Sequence, residues 1–143
     1  MTVETNSAAE TARFAESVSL RAKPGEVYAL TGELGAGKTE FARGFARGLG
    51  CPGRVASPTF TIMNVYTGGR LAVYHFDLYR LGDAETELEG IGFEDYFYSD
   101  GVSIVEWAER AENILPRNST RVKIEIINES EKRRITVSRG EAQ

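Results

Sequence analysis

Gly32-Glu33-Leu34-Gly35-Ala36-Gly37-Lys38-Thr39 is the stretch that decides how the rest of the chain reads. It matches G-x-x-x-x-G-K-[ST] in full, the loop that cradles phosphates between a buried strand and a helix. Each residue type has a physical reason to be there. Glycines let successive backbone N–H groups turn inward around phosphate oxygens with no side chain in the way. Lys38 brings a positive charge to the β- and γ-phosphates, and the Thr39 hydroxyl is a ligand of the kind Mg²⁺ accepts. The candidate nucleotide-binding set is therefore Glu33, Leu34, Gly35, Ala36, Gly37, Lys38 and Thr39.

The flanks supply the context that this motif requires. Residues 26–31 form a short apolar run after Pro24-Gly25, which predicts a buried strand. Residues 38–49 put Phe41, Ala42, Phe45, Ala46 and Leu49 on one face, and Gly50 stops the pattern. The resulting helix points its N-terminus, with its unpaired N–H groups, at the anion.

Working outward, residues 7–20 read as a helix that Ser7 caps, with Glu10 at the capping-box spacing. Residues 61–66 and 71–79 read as strands joined around Gly68-Gly69, hence a hairpin. Asp83 is placed to cap a short acidic helix over 84–89, and a second short helix is expected over 93–98. Residues 102–107 read as another buried strand, followed by a helical segment before Pro116. Val122, Ile124 and Ile126 alternate with polar residues, as do Ile135 and Val137 after the polar turn at 128–131. The fold class expected is α/β, a P-loop NTPase-like sandwich. A mixed, mostly parallel central sheet is flanked by helices and closed by a C-terminal antiparallel hairpin. Within 143 residues there is no repeat, low-complexity stretch or linker, so residues 1–143 are expected to form one domain.

Composition narrows the setting. The 41% hydrophobic and 27% charged content is that of an ordinary globular protein. The single cysteine, Cys51, excludes an intramolecular disulfide and a cysteine metal cage, which suits a reducing compartment. No apolar run is long enough for a membrane helix, so the expected location is the cytoplasm, with no membrane partner. The net charge of −4 is unevenly spread. Residues 77–112 hold eleven acids and two bases, whereas residues 113–143 hold seven bases and four acids. The acidic stretch repels nucleic-acid phosphates and argues against tight direct binding to nucleic acid as the main activity. It leaves open docking on a basic protein surface, and equally a solvated acidic face.

A phosphate loop of this kind works with a carboxylate at the end of a neighbouring strand, which holds the Mg²⁺ shell or polarises a water. Asp77 and Glu106 both qualify, the first after 71–76 and the second after 102–105. His75 and Trp107 stand beside them, and spacing alone gives these two no role. Guanine-specific enzymes of the class carry Asn-Lys-x-Asp, and no such segment occurs here. ATP is thus favoured by elimination. Near the loop the chain offers Lys38 but no evident arginine finger, because Arg43 and Arg47 lie further down the helix.

Five segments in this order resemble the bacterial TsaE family: GELGAGKT at 32–39, SPTFT at 57–61, YHFDLYRL at 74–81, GFEDYF at 92–97 and IVEW at 104–107. GELGAGKT alone fits many ATPases, and the combination is what makes the resemblance specific. The resemblance covers nearly the whole chain. It implies an ATPase required for threonylcarbamoyl modification of the adenosine beside the anticodon, in tRNAs reading codons that begin with A. It also implies partners similar to TsaD and TsaB, with tRNA engaged indirectly through the complex and the transfer performed by TsaD. ATP and Mg²⁺ are the implied cofactors, and hydrolysis is expected to be weak alone and stimulated by the partners.

By the same resemblance, Lys38 and Thr39 match the family's phosphate-loop lysine and Mg²⁺ ligand. Asp77 matches its essential aspartate, Glu106 its strand-end Mg²⁺ ligand and Trp107 the tryptophan beside it. Ser57, Thr59 and Thr61 fall in a loop likened to a GTPase switch. Ala108 departs from the family, where many members have proline. Adenine contacts are placed, as a guess, near residues 8–11 and 132–134. Two other classes compete with this reading: a small-molecule kinase, and a binding module in which nucleotide only sets affinity.

Overall fold

Val27, Tyr28, Ala29 and Leu30 are all buried, as a strand covered on both faces must be. They belong to β2 (Val27–Thr31), which lies inside the one sheet of a computed structural model that describes residues 1–55 and 63–140. The other strands are β1 (Thr2–Thr5), β3 (Arg54–Val55), β4 (Met63–Tyr66), β5 (Val73–Asp77), β6 (Val102–Glu106), β7 (Thr120–Ile126) and β8 (Arg133–Ser138). The helices are α1 (Ala8–Ser19), α2 (Lys38–Gly48), α3 (Ala84–Gly90) and α4 (Glu94–Phe97), with a 3-10 segment over Ala108–Ile114.

The strand order is β1-β8-β7-β2-β6-β5-β4-β3. The central four are parallel: β2 pairs with both β6 and β7, and β6 with β5. Antiparallel strands extend each margin, β8 and β1 on one side, β4 and β3 on the other. This is the expected mixed α/β sandwich, and β7–β8 is the expected terminal hairpin, with Ile124 opposite Ile135.

The two-residue period of the strands divides the core into two layers. Tyr28, Leu30, Ile104, Val122 and Ile124 face α1 and α2, where Phe45 lies 4.7 Å from the Tyr28 ring. Val27, Ala29, Phe76 and Val105 face the opposite layer, where Phe97 meets Phe76 edge-on at 5.5 Å. The acidic stretch forms this second layer, and its carboxylates are exposed except for half-buried Glu85 and buried Glu106.

Local differences from the sequence reading have local causes. Ser7 caps α1 through Glu10 N–H, and Asp83 caps α3 through Thr86 N–H, both as expected. β5 starts at Val73 and stops at Asp77, within the expected 71–79, and at its C-terminal end the Asp77 carboxylate turns back to accept the Tyr79 N–H at 3.0 Å. β6 ends at Glu106 because Trp107 adopts a left-handed conformation (φ 58, ψ 42). β1 and β3 are additions that the sequence pattern did not mark. The 57–61 segment, with Ser57, Thr59 and Thr61, lies outside the described residues.

Candidate functional site

The loop at 32–39 leaves the C-terminal end of β2 and feeds the N-terminus of α2, where Gly37 is the cap residue. Two of its glycines have distinct reasons. Gly32 (φ 152) passes so close to β7 that a Cβ there would lie 2.5 Å from the Ile124 carbonyl oxygen. Gly37 (φ 111) holds a left-handed turn that other residues resist.

Lys38 is only 4% exposed. Its ammonium donates to the carbonyls of Gly32 and, at 3.2 Å, of Glu33. The Trp107 ring lies over it, 3.9 Å from ammonium to ring centroid, a cation–π arrangement. Burial pushes the Lys38 pKa down, against the opposing pull of the Glu106, Glu109, Asp77 and Glu33 carboxylates.

The two candidate acids end adjacent parallel strands in direct register, Asp77 opposite Glu106. Their surroundings differ. Glu106 is 4% exposed and accepts from the Thr39 hydroxyl at 3.3 and 3.4 Å. Asp77 is exposed at the lip of a cleft of about 140 Å³ that the loop, Glu106, Tyr79 and Trp107 also line. His75, two residues before Asp77, is buried with its Nε2 2.5 Å from Glu106 Oε2. Tyr79 stacks on Trp107 with centroids 4.9 Å apart.

A second hollow of about 170 Å³ lies on the other side of the loop, lined by Ala8, Thr11, Gly35, Ala36, Gly37, Glu40, Glu131 and Arg133. The regions around 8–11 and 132–134 therefore do converge on the loop. Arg133 falls in the 132–134 turn guessed for adenine contacts; what sequence reasoning missed is its hold on the loop backbone. Its Nε donates to the Ala36 carbonyl at 2.7 Å and a terminal nitrogen donates to the Gly35 carbonyl at 3.2 Å. The other terminal nitrogen holds the Ser130 and Lys132 carbonyls of its own turn. The signal that would have found it is the β2–β7 pairing, which brings the terminal hairpin beside the loop.

Among the described residues no group of three or more His, Cys, Asp or Glu can hold a metal unaided. The Thr39 hydroxyl and Glu106 carboxylate are instead two hard oxygen donors beside the glycine-rich loop. That is the sparse protein share Mg²⁺ takes when phosphate oxygens and waters complete its shell. No helix among the described residues is long and apolar enough to cross a membrane.

Comparison with known proteins gives one family throughout. The sequence profile for TsaE, described as threonylcarbamoyl adenosine biosynthesis protein TsaE, matches residues 5–136. The Bacillus subtilis tRNA threonylcarbamoyladenosine biosynthesis protein TsaE is 45% identical over 123 residues, spanning 86% of this chain and 76% of that protein. The Treponema pallidum protein of the same name is 40% identical over 132 residues, spanning 92% of this chain and 96% of that one. The crystal structure of YdiB from Bacillus subtilis superposes with a TM-score of 0.82 at 36% identity, covering 99% of this chain and 86% of that one. The chain belongs to the TsaE family of threonylcarbamoyl adenosine biosynthesis proteins.

Proposed function

We propose that this chain is a Mg²⁺-dependent ATPase that supports threonylcarbamoyl modification of tRNA without performing the transfer itself. The observation that carries the reading is the Thr39–Glu106 pair, which joins the start of α2 to the end of β6 at the mouth of the phosphate loop. In this reading the loop N–H groups and Lys38 hold the phosphates, and Thr39 and Glu106 hold Mg²⁺. The metal supplies neutralisation of phosphate charge. Exposed Asp77 polarises the attacking water, and the hollow beside Ala8, Thr11 and Arg133 receives the nucleoside end. Trp107 covers the Lys38 ammonium.

Hydrolysis by the isolated chain is slow in this reading. Lys38 is the one cation among the described residues lining the cleft, and Arg133 is committed to backbone carbonyls. Charge stabilisation at the γ-phosphate then comes from a partner in trans. TsaD-like and TsaB-like proteins are the proposed partners, with tRNA reached through them, in the cytoplasm. The acidic layer is the proposed docking face, and residues 1–143 act as one domain.

Calorimetric titration of ATP into wild type and Lys38→Ala, with and without Mg²⁺, tests the loop assignment: unchanged affinity in the variant would discard it. ATP turnover titrated with a TsaD–TsaB complex tests the partner step. Stimulation is expected, stronger at low salt and weaker when Glu85, Glu87 and Glu89 are changed to lysine. Superimposable curves for wild type and the triple variant would remove the acidic face from the proposal and leave the ATPase standing.

A further inference from the structure

His75 lies behind the Thr39–Glu106 pair and has no part in the phosphate-loop chemistry above. It is 5% exposed, and its Nε2 makes a 2.5 Å hydrogen bond to Glu106 Oε2. Its other ring nitrogen, Nδ1, is also buried and has no hydrogen-bond partner among the described residues. A buried polar nitrogen left unsatisfied is a desolvation loss that an apolar side chain would avoid. Packing alone therefore does not account for a histidine here. What the ring gains in polar contact among the described residues is the bond to the carboxylate.

The geometry around the ring fixes the direction of that contact. β5 and β6 run parallel with His75 opposite Ile104, so the ring stands two residues behind Glu106 on the neighbouring strand. The Tyr66 ring stacks beside His75 at 6.2 Å and 28°. Glu106 thus has one short bond from behind, to His75. On its open side it has the two longer contacts of 3.3 and 3.4 Å from Thr39. A carboxylate held this way loses its side-chain rotation but keeps lone pairs facing the cleft.

We propose that His75 is a positioning residue: its Nε2–H locks the Glu106 carboxylate so that its free lone pairs face Thr39 and the Mg²⁺ site. His75 touches neither metal nor nucleotide. The inference rests on the reading of Thr39 and Glu106 as the Mg²⁺-holding pair. Hydrogen bonds that orient ligands from behind are commonly worth 10–100-fold in metal affinity.

The test measures binding and needs no turnover. ADP is titrated into wild type, His75→Leu, His75→Gln, Glu106→Ala and the His75→Leu/Glu106→Ala double variant, first in EDTA and then across a Mg²⁺ series. His75→Leu removes the donor, whereas the Gln side-chain nitrogen reaches close to the position of Nε2. The expected result is unchanged ADP affinity in EDTA, an apparent Mg²⁺ affinity about 10-fold weaker or more in His75→Leu, and recovery of most of it in His75→Gln. The double variant should match Glu106→Ala alone. If His75→Leu does not fold, His75→Phe keeps the ring against Tyr66 without a donor and replaces it.

A His75→Leu protein with wild-type Mg²⁺ dependence would overturn the proposal, as would equal loss in His75→Leu and His75→Gln. If Glu106→Ala itself keeps wild-type Mg²⁺ dependence, the metal-site reading fails and takes this inference with it. Loss in Glu106→Ala with no loss in His75→Leu retires His75 alone.

Discussion

Replacing Gly44 by alanine should loosen the site from a distance. Gly44 sits in the middle of α2, where a Cβ would lie 2.2 Å from the Ala12 carbonyl oxygen and 2.7 Å from the Ala12 Cα. Those atoms are backbone, so no rotamer change relieves the clash, and α1 must move away by about an ångström. Gly48 repeats the arrangement one turn on, with Glu16 and Ser19 in its way. Alanine gains about 1 kcal/mol of helix propensity over glycine. Overpacking costs about 1–3 kcal/mol, and two facing backbones put this site at the upper end. The net is a loss of about 1–2 kcal/mol, or a fall in Tm of about 3–8 °C for a domain of this size. Because α1 carries Ala8 and Thr11 to the hollow beside the loop, ADP affinity should fall several-fold as well. Gly90→Ala is the internal control: it ends α3, has no atom of the described residues within 4 Å of its would-be Cβ, and should gain about 0.4–1 kcal/mol. Differential scanning calorimetry on both variants measures the pair. A Gly44→Ala protein as stable as wild type would show that α1 has room to spare, and the claim that this contact fixes the loop would be wrong.

Two further substitutions separate binding from stability. Lys38→Met should abolish tight ATP binding while leaving the Tm of the nucleotide-free protein equal or higher. Burial holds the folded pKa of Lys38 below that of the unfolded chain. The unfolded state therefore binds this proton more tightly, and the residue opposes folding at neutral pH. That penalty shrinks only as pH rises through the folded pKa toward the unfolded one, and a melting point several degrees lower would show that the bonds to Gly32 and Glu33 outweigh burial. Arg133→Ala removes two charge-assisted bonds to the loop and should weaken ADP binding about tenfold, or about 1.4 kcal/mol, with little change in far-UV circular dichroism. Unaltered affinity by calorimetry would leave Arg133 a surface residue of the hairpin.

The parts of the molecule that were legible are those whose chemistry is local. The loop announces itself because phosphate binding needs glycines, a lysine and a hydroxyl at fixed spacing, and the strand and helix around it follow from adjacent periodicity. α3 was legible from one capping aspartate, Asp83. β1 was not, because Thr2-Val3-Glu4-Thr5 offers one apolar residue and gains its place only by pairing with β8 at the far end of the chain. The hold of Arg133 on the loop was hidden for the same reason. Nothing within ten residues of it mentions the loop, and only the β7–β2 pairing carries it there. Asp77 and Glu106 could be nominated from strand ends, but spacing could not rank them. Burial and the Thr39 contact separate them, and both arise from the position of α2 over the sheet.

Trp107 marks the limit of what spacing can say. Its ring covers Lys38 because one non-glycine residue adopts a left-handed conformation at the end of β6. Such a conformation is uncommon in a bulky residue and costs about 1–3 kcal/mol unless its surroundings impose it. Two contacts do so here: the Lys38 ammonium under one face of the indole, and the Tyr79 ring against it. The next residue matters too. A proline at 108 would press its ring on the backbone of 107 and drive that residue toward extended conformations. Alanine at 108 is fully buried and leaves the left-handed turn open. Residue 108 is thus the position whose side chain decides whether the tryptophan can lie over the lysine.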